Sequence, residues 1–465
     1  MDIRSYYKTS VIQKKIAEYC GADECDPYKF SCEYLVGVKE GISNNEYFLS
    51  VPNDKIFWLF DIGADIFRSV WDKESVLFIL DFEYYNLLYP AEAYFKPYDV
   101  YYKLEEIYQR VKNIYQKYKL NYISIQTGQG YHFVFKLPIN NSLFSDLLSL
   151  GYLESTLKGK YATTTARRKR PVPQEVGIVF HTAGRIIEFI CYQLFSNLSN
   201  NYKGLPVVFS DVSVGNRNKE AISLDLSMYA DPIYMRDIRV PFSVYQKHRI
   251  YHKFKLSTQD IPPFIVLVRE NSGNEYFDSY KEIISVRTNV KKVIDLAEQI
   301  SCKIPDSGDG LALLLEEYKS SLLYKIHKDF DSCEHDDPKI WYKTYDRFET
   351  KILPPCVRHC LEYPNDHLLK PTNLQTLTRV LLKLNWHPKH IAGLIRSKYE
   401  RNYGWGDTWY KYDAASRANF YVRIYSDLIL SGVDKEEDLN CLSHYEKGYC
   451  WKPNCGFKLE SYRLN

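Results

Sequence analysis

The sequence predicts a mixed chain: an α/β (α+β) domain over residues 1–265, a helical linker region over 266–345 and an all-α domain over 346–465. Three observations predict it. Up to about residue 265, short runs of apolar, β-branched and aromatic residues alternate with helical spacing, as in a domain that packs helices against a sheet. From about 262 to 339 the periodicity becomes helical. Beyond 353 it stays helical until a cysteine-rich tail.

In chain order, SVLFILDFEYY (75–85) is a short apolar strand whose end carries acids. Residues 100–120 place Leu104, Ile107, Val111 and Ile114 at helical spacing with charges between them, the mark of an amphipathic helix. YISIQTGQGYHFVFKLP (122–138) reads strand, turn, strand, with Gly128 and Gly130 supplying the turn. A third β-rich stretch follows at 221–249. Helices are expected at 290–300 and 310–326, separated by the DSGDG run at 306–310, and again at 374–384 and 390–399. No period of 20–50 residues recurs, which excludes a solenoid.

The 465 residues are 45% hydrophobic and 26% charged, globular values with no low-complexity tract. The N-terminal MDIRSYYKTS lacks an apolar signal segment, and no uninterrupted apolar run approaches the length that spans a bilayer, so a cytoplasmic protein without a membrane partner is expected. A net charge of +3 leaves any nucleic-acid surface to local clusters such as Arg167, Arg168, Lys169 and Arg170. The 42 tyrosines offer stacking platforms for bases, or simply reflect a composition rich in Tyr, Lys, Asn and Ile. Eleven cysteines without a secretion signal point to metal or free thiols before disulfides.

Asp81 and Glu83 are one residue apart, so on a strand both face the same side while Phe82 faces the core. Two divalent metals about 3.5–4 Å apart need such shared oxygen ligands, although a solvated strand end gives the same pattern. Downstream, Thr127-Gly128-Gln129-Gly130-Tyr131-His132 lets backbone approach a ligand and sets a histidine where it can donate to phosphate. No G-x-x-x-x-G-K-[ST] loop and no H-E-x-x-H helix is present.

In this order the two runs resemble the archaeo-eukaryotic primase superfamily, whose first motif is an acid-x-acid strand and whose second is S-G-x-G-[YF]-H or a close variant. Thr127 stands in place of the usual Ser and keeps a hydroxyl. The family's third motif, a hydrophobic-Asp pair followed by basic residues, is matched by Leu224-Asp225, then Asp231, Arg236, Arg239-Val240-Pro241-Phe242-Ser243 and Lys247-His248, with an insertion between the Asp and the Arg. The resemblance implies an RRM-like antiparallel sheet. It implies Mg²⁺ or Mn²⁺ on Asp81, Glu83 and Asp225, and nucleotide contacts from Thr127, Gly128, Gly130, His132, Arg236, Arg239, Ser243, Lys247 and His248. The reaction implied is attack of a 3′-hydroxyl on the α-phosphate of an NTP or dNTP, with pyrophosphate leaving, on a single-stranded DNA template and primer. Partner proteins would be a helicase or other replication or CRISPR-locus proteins. A primer-extending polymerase that does not prime, and a catalytically silent replication initiator or single-strand binder, stay open beside it.

Cys356, at the start of PPCVRHC, together with Cys441, Cys450 and Cys455 can close a tetrahedral zinc site or hold a cluster. The run from Pro354 resembles the iron-sulfur domain of the primase large subunit, with Arg379 as the arginine of a later helix, which implies a [4Fe–4S] centre with zinc as the alternative. Cys360, one helical turn from Cys356, reads as a core thiol or a substitute ligand; Cys20, Cys25 and Cys32 read as structural, and His181, near Arg185 between the second and third motifs, as packed.

Overall fold

The apolar run that begins at Ser75 becomes a strand of 12 residues, the longest among the described residues, because its alternate residues bury on one face along the whole length. The computed structural model describes residues 2–40, 48–153, 155–163, 171–198, 202–209, 219–230, 237–250, 258, 260–365, 367–404 and 413–464. In chain order the strands are β1 (Leu35–Val38), β2 (Phe48–Val51), β3 (Asp65–Ser69), β4 (Ser75–Asn86), β5 (Ile123–Gln126), β6 (Gly130–Pro138), β7 (Val207–Phe209), β8 (Glu220–Asp225), β9 (Asp237–Arg239), β10 (Val244–Tyr245), β11 (Phe264–Ile265), β12 (Leu267–Asn271) and β13 (Asn274–Glu275). The chain divides into two units that interleave in sequence. The first comprises Met1–Leu153, Lys158–Ile187 and Met235–Leu314; the second comprises Glu154–Leu157, Glu188–Tyr234 and Leu315–Asn465.

In the first unit β13, β12, β5, β6 and β4 lie side by side in that order, each pair antiparallel. A second antiparallel sheet runs β2-β1-β3-β9. The helix Pro97–Lys117 buries the expected stripe of Leu104, Ile107, Val111 and Ile114. It also presents Tyr101, Tyr108 and Tyr115, seven residues apart and so on one face, to the first sheet. The Tyr101 and Tyr108 rings meet Tyr131 at 5.4 and 4.7 Å, and Tyr115 meets Phe133 at 5.2 Å. Odd-numbered residues of β6 therefore fill the core under the helix, and even-numbered ones face the other way.

The span 266–345 departs from a helical linker. It opens with β12, which pairs with β5, and its helices include Tyr280–Val286, Val290–Ala297, Gly308–Ser320 and Leu322–Ser332. The run FIVLV is buried on both faces, and over so few residues a continuous apolar run does not distinguish strand from helix. The single helix expected over 310–326 is two, because the Ser321 hydroxyl caps a new N-terminus by accepting the Tyr324 N–H at 3.1 Å.

The second unit carries the parallel pair β7–β8 and the helices Pro355–Glu362, Pro371–Lys383, Pro388–Tyr399, Ala414–Leu430 and Cys441–Glu446. Three of these start on proline, whose missing N–H costs nothing in a first turn. Their core contains Leu374, Leu377, Leu381, Ile391, Ile395 and Val422. The helix Gln174–Asn197 is long and apolar enough by composition to cross a membrane, yet 67% of its most apolar window is buried inside the protein.

A buried ion network ties the second unit together. Arg423 donates to the Glu188 carboxylate, to His327 Nε2 at 2.9 Å and to Asp427 Oδ2 at 3.2 Å, and the Tyr318 hydroxyl meets His327 Nδ1 at 2.7 Å. One guanidinium faces two carboxylates, so the group is one charge short of neutral unless it holds an extra proton. Burial and the nearby Glu188 raise the Asp427 carboxyl to about 6, while Arg423 and His327 outweigh burial at Glu188 and hold it far below the usual range. A carboxyl raised on folding contributes stability that is present below its unfolded value near 4 and is lost as pH rises through its folded value. In urea unfolding, raising the pH from 4 to 6 should therefore cost the wild type on the order of 2–3 kcal/mol relative to Asp427→Asn, the opposite contributions of Glu188 and the other lowered carboxyls being shared by both. An identical slope in the variant would contradict this.

Candidate functional site

The β4–β6 register sets Asp81 opposite His132 and Glu83 opposite Gly130. Asp81 and Glu83 point to the face away from the tyrosine-packed core, while Phe82 between them packs on Tyr131 and Phe133 at 5.6 and 6.0 Å. His132 Nε2 lies 3.4 Å from Asp81 Oδ2. Asp81 Oδ1 and His132 Nδ1 are both buried without a hydrogen-bond partner.

The turn between β5 and β6 is closed by the Thr127 N–H donating to Gly130 O at 2.9 Å and by the Gly130 N–H donating to Thr127 Oγ1 at 3.2 Å. Tyr101 fixes it from below by donating its hydroxyl to Thr127 O at 2.7 Å. Both glycines are required by close approach. A Cβ on Gly130 would meet Glu83 Cα at 2.7 Å and overlap the Phe82 carbonyl, and one on Gly128 would strike Tyr245 Cε2 at 2.6 Å.

These residues open on a cavity of about 160 Å³. Asp81, Glu83, Thr127 and His132 line it from the first sheet; Asp237 and Arg239 of β9 come from the second sheet, with the apolar Val38, Phe48 and Phe67; Tyr245, Lys247 and Ile250 complete it. Three carboxylates and two permanent cations thus share one space. Arg239 is held rigidly: it is ion-paired to the buried Asp65 and lies between the rings of Phe67 and Tyr245, 4.3 and 4.1 Å from their centroids. Burial opposes the guanidinium's charge, but Asp65 outweighs it and the proton is held more tightly than usual.

Ser243 and His248 do not line this cavity. Ser243 is fully buried and donates its hydroxyl to Val240 O at 2.7 Å, which braces the chain between β9 and β10. His248 stacks on Tyr94 at 5.1 Å and Phe264 at 5.6 Å and bonds Ile261 O at 3.1 Å; burial lowers it to about 4, so it is neutral and supports the wall behind Tyr245. Asp225 ends β8 in the second unit, where its carboxylate accepts the Ser227 N–H at 2.8 Å. Arg236, Asp231 and the basic cluster Arg167–Arg170 lie outside the described residues. Asp237 was not singled out by sequence. The signal was its spacing: D-x-R on a strand puts Asp237 on the face of Arg239, as D-x-E does for Asp81 and Glu83.

The acids fit a hard divalent cation. All offer oxygen, the donor type that Mg²⁺ and Mn²⁺ select, and Asp81 Oδ1 is a buried acceptor that no protein donor satisfies.

In the second unit, Cys360 is a core thiol that donates to Cys356 O at 3.6 Å, as expected. Burial first, then the Cys360 and Cys450 thiols, push Cys356 up to about 12. The tail returns to this helix through Trp451, stacked on His359 at 3.7 Å. Among the described residues no three of the sulfurs come within 4.8 Å of one another; Glu188, His327 and Asp427 do, around Arg423. A closed zinc site would hold its sulfurs about 4 Å apart.

No family model matches the chain, and neither a curated protein nor a solved structure matches it significantly.

Gly130→Ala should cost on the order of 3 kcal/mol, because the added methyl meets backbone on the partner strand and not a movable side chain. Gly159→Ala, in the helix Ser155–Tyr161 with nothing within 4 Å, should leave stability unchanged or raise it by up to about 1 kcal/mol. Thermal melts of the two variants beside the wild type check this; equal effects would remove the steric requirement at Gly130.

Proposed function

We propose that the chain is a DNA-templated nucleotidyltransferase, a primase-polymerase that makes primers, extends them, or both. The observation that carries this is the cross-strand pairing of the Asp81-x-Glu83 acids with the Gly130–His132 segment, facing Arg239 and Lys247 across one cavity. Acids and cations around a single small space suit a substrate that is itself a polyanion travelling with divalent metal. The motif order resembles that of the archaeo-eukaryotic primase superfamily, and the succession β4, helix, β5, β6 supports reading the first sheet as RRM-like.

In this reading Asp81 and Glu83 hold Mg²⁺ or Mn²⁺, which when bound lowers the pKa of an attacking hydroxyl and offsets charge on the phosphates. His132 donates to the triphosphate from beside Asp81. Arg239 presents a charge whose position its ring sandwich fixes, so little reorganisation is needed when phosphate charge shifts. Lys247 adds a point charge on a flexible stem. Gly128 admits the Tyr245 ring, which lines the cavity beside Thr127. The 3′-hydroxyl oxygen bonds to the α-phosphorus as the bond to the β-phosphate oxygen breaks, releasing pyrophosphate. Asp225 enters as the third acid on the sequence pattern alone. The second unit's Cys356, Cys441, Cys450 and Cys455 would hold a [4Fe–4S] centre, with zinc as the alternative.

Synthesis on unprimed and primed single-stranded DNA, with labelled NTPs or dNTPs and Mg²⁺ or Mn²⁺, tests the reading. Asp81→Ala and Glu83→Ala should each lower incorporation by more than about 100-fold without unfolding the protein. Asp225→Ala should do the same and Asp237→Ala should not; the reverse result would move the third carboxylate to Asp237. Template binding with no incorporation under any condition would overturn the enzymatic reading.

His132→Ala should lower kcat/KM for nucleotide by about 10- to 150-fold, mainly through KM, as expected for loss of a hydrogen bond to a charged group worth about 1.5–3 kcal/mol. Steady-state nucleotide titration beside a melting curve checks it. An unchanged KM with a clearly lower Tm would make His132 a packing residue.

A further inference from the structure

The second unit contains a larger cavity, about 700 Å³, that the proposed reaction does not use. Its volume is that of a small-molecule site. One wall is apolar: Phe195 and Phe209 meet edge to face at 5.2 Å, and Leu198, Leu428 and Leu442 extend the surface. The opposite wall is acidic, with Asp434, Glu436, Glu437 and Asp438 against two cations, Arg379 and Lys435.

Arg379 is already committed. Its guanidinium makes a two-point pair with Asp434 at 2.8 and 2.9 Å and donates to Asp438 at 2.8 Å, so it cannot serve an anionic ligand without abandoning both. Glu436 is different. It is 3% exposed; one oxygen accepts the Leu464 N–H at 3.1 Å, and the other, Oε1, is buried with no hydrogen-bond partner. Gln375 on the same cavity likewise has a buried Oε1 without a donor. Burial, with Asp434 beside it, raises the Glu436 carboxyl against the opposing pull of Arg379 and Arg463. Its backbone also adopts φ 49°, a conformation in which glycine would be less strained, yet the residue there is a carboxylate.

We propose that this cavity binds a small organic cation, a primary amine or guanidinium on an apolar body, with the charged group hydrogen-bonded to Glu436 Oε1 and the body against Phe195, Leu198 and Phe209. Arg379 and Lys447 are already bound to Asp434 and Asp438, so the group left open on this lining is a carboxylate acceptor, which favours a donor cation over a phosphorylated ligand. An amine supplies the missing donor, and the apolar residues take the remainder. None of the residues proposed for nucleotidyl transfer takes part, so this site stands or falls separately.

Tryptamine and agmatine, with indole-3-propionate as the isosteric acid, test the proposal by isothermal titration into the full chain at neutral pH. At least one of the two cations should bind with 1:1 stoichiometry, and tryptamine at least tenfold more tightly than indole-3-propionate. Glu436→Gln, which keeps an oxygen for the Leu464 N–H and so the fold, should weaken the bound cation by about 10- to 100-fold, the loss of one charge-assisted hydrogen bond. Leu442→Arg, at a position 60% exposed and so safe for folding, should weaken it as well by adding positive charge beside the acidic wall. Failure of both cations to bind at millimolar concentration, equal binding of tryptamine and the acid, or unchanged cation binding in both variants overturns the proposal.

Discussion

Everything at the candidate site depends on one antiparallel register, that of β4 against β6. It runs unbroken from Ser75 opposite Pro138 to Glu83 opposite Gly130. Because strand side chains alternate, a slip of one residue would turn one strand over, sending either Asp81 and Glu83 into the tyrosine-packed core and Phe82 out of it, or His132 in and Tyr131 and Phe133 out. The helix Pro97–Lys117 makes that slip prohibitive by seating Tyr101, Tyr108 and Tyr115 on the odd-numbered face of β6. Gly130 fixes the end of the ladder, since only a residue without Cβ can lie against Phe82 and Glu83. Core packing thus positions the polar face, with the Tyr101 hydroxyl on Thr127 O and the Arg269 guanidinium over the Tyr108 ring as polar parts of that packing.

The chain manages its buried charges by the same means in both units. Arg239 is paired to Asp65 and clamped by two rings, so it offers a fixed cation to the cavity. Arg379 and Arg423 are satisfied internally, the first by Asp434 and Asp438 and the second by Glu188, His327 and Asp427. The contrast lies in what is left over. Around Arg423 the guanidinium fills the position where the acceptors converge. A buried carboxylate oxygen without a donor remains at Glu188 and Asp427 as well; at Asp81 and at Glu436 that oxygen belongs to a residue lining a cavity, and those are the places where a cation from outside would be stabilised.

Local sequence made much of this visible. The 3.6-residue spacing of 100–120 gave the helix Pro97–Lys117, the glycine turn gave the β5–β6 hairpin, and the one-residue spacing of Asp81 and Glu83 placed both on one face. The pairing of the two motifs needs the register, which spacing alone does not specify. β12 was hidden because a short apolar run has no period to read, and the break at Ser321 because one hydroxyl outweighed a continuous helical pattern. Asp237 was overlooked although its spacing from Arg239 was legible. The networks around Arg423 and Arg379 join residues far apart in sequence, and no local pattern announces them.

The central claim is that Asp81 and Glu83 bind divalent metal together with a nucleoside triphosphate. Electron paramagnetic resonance of Mn²⁺, titrated into the protein with and without a non-hydrolysable nucleoside triphosphate, tests it most directly. The account predicts that nucleotide tightens Mn²⁺ binding to the wild type and that the folded Asp81→Asn, Glu83→Gln double variant loses this nucleotide-dependent binding. A folded double variant that binds Mn²⁺ and nucleotide as the wild type does would contradict it.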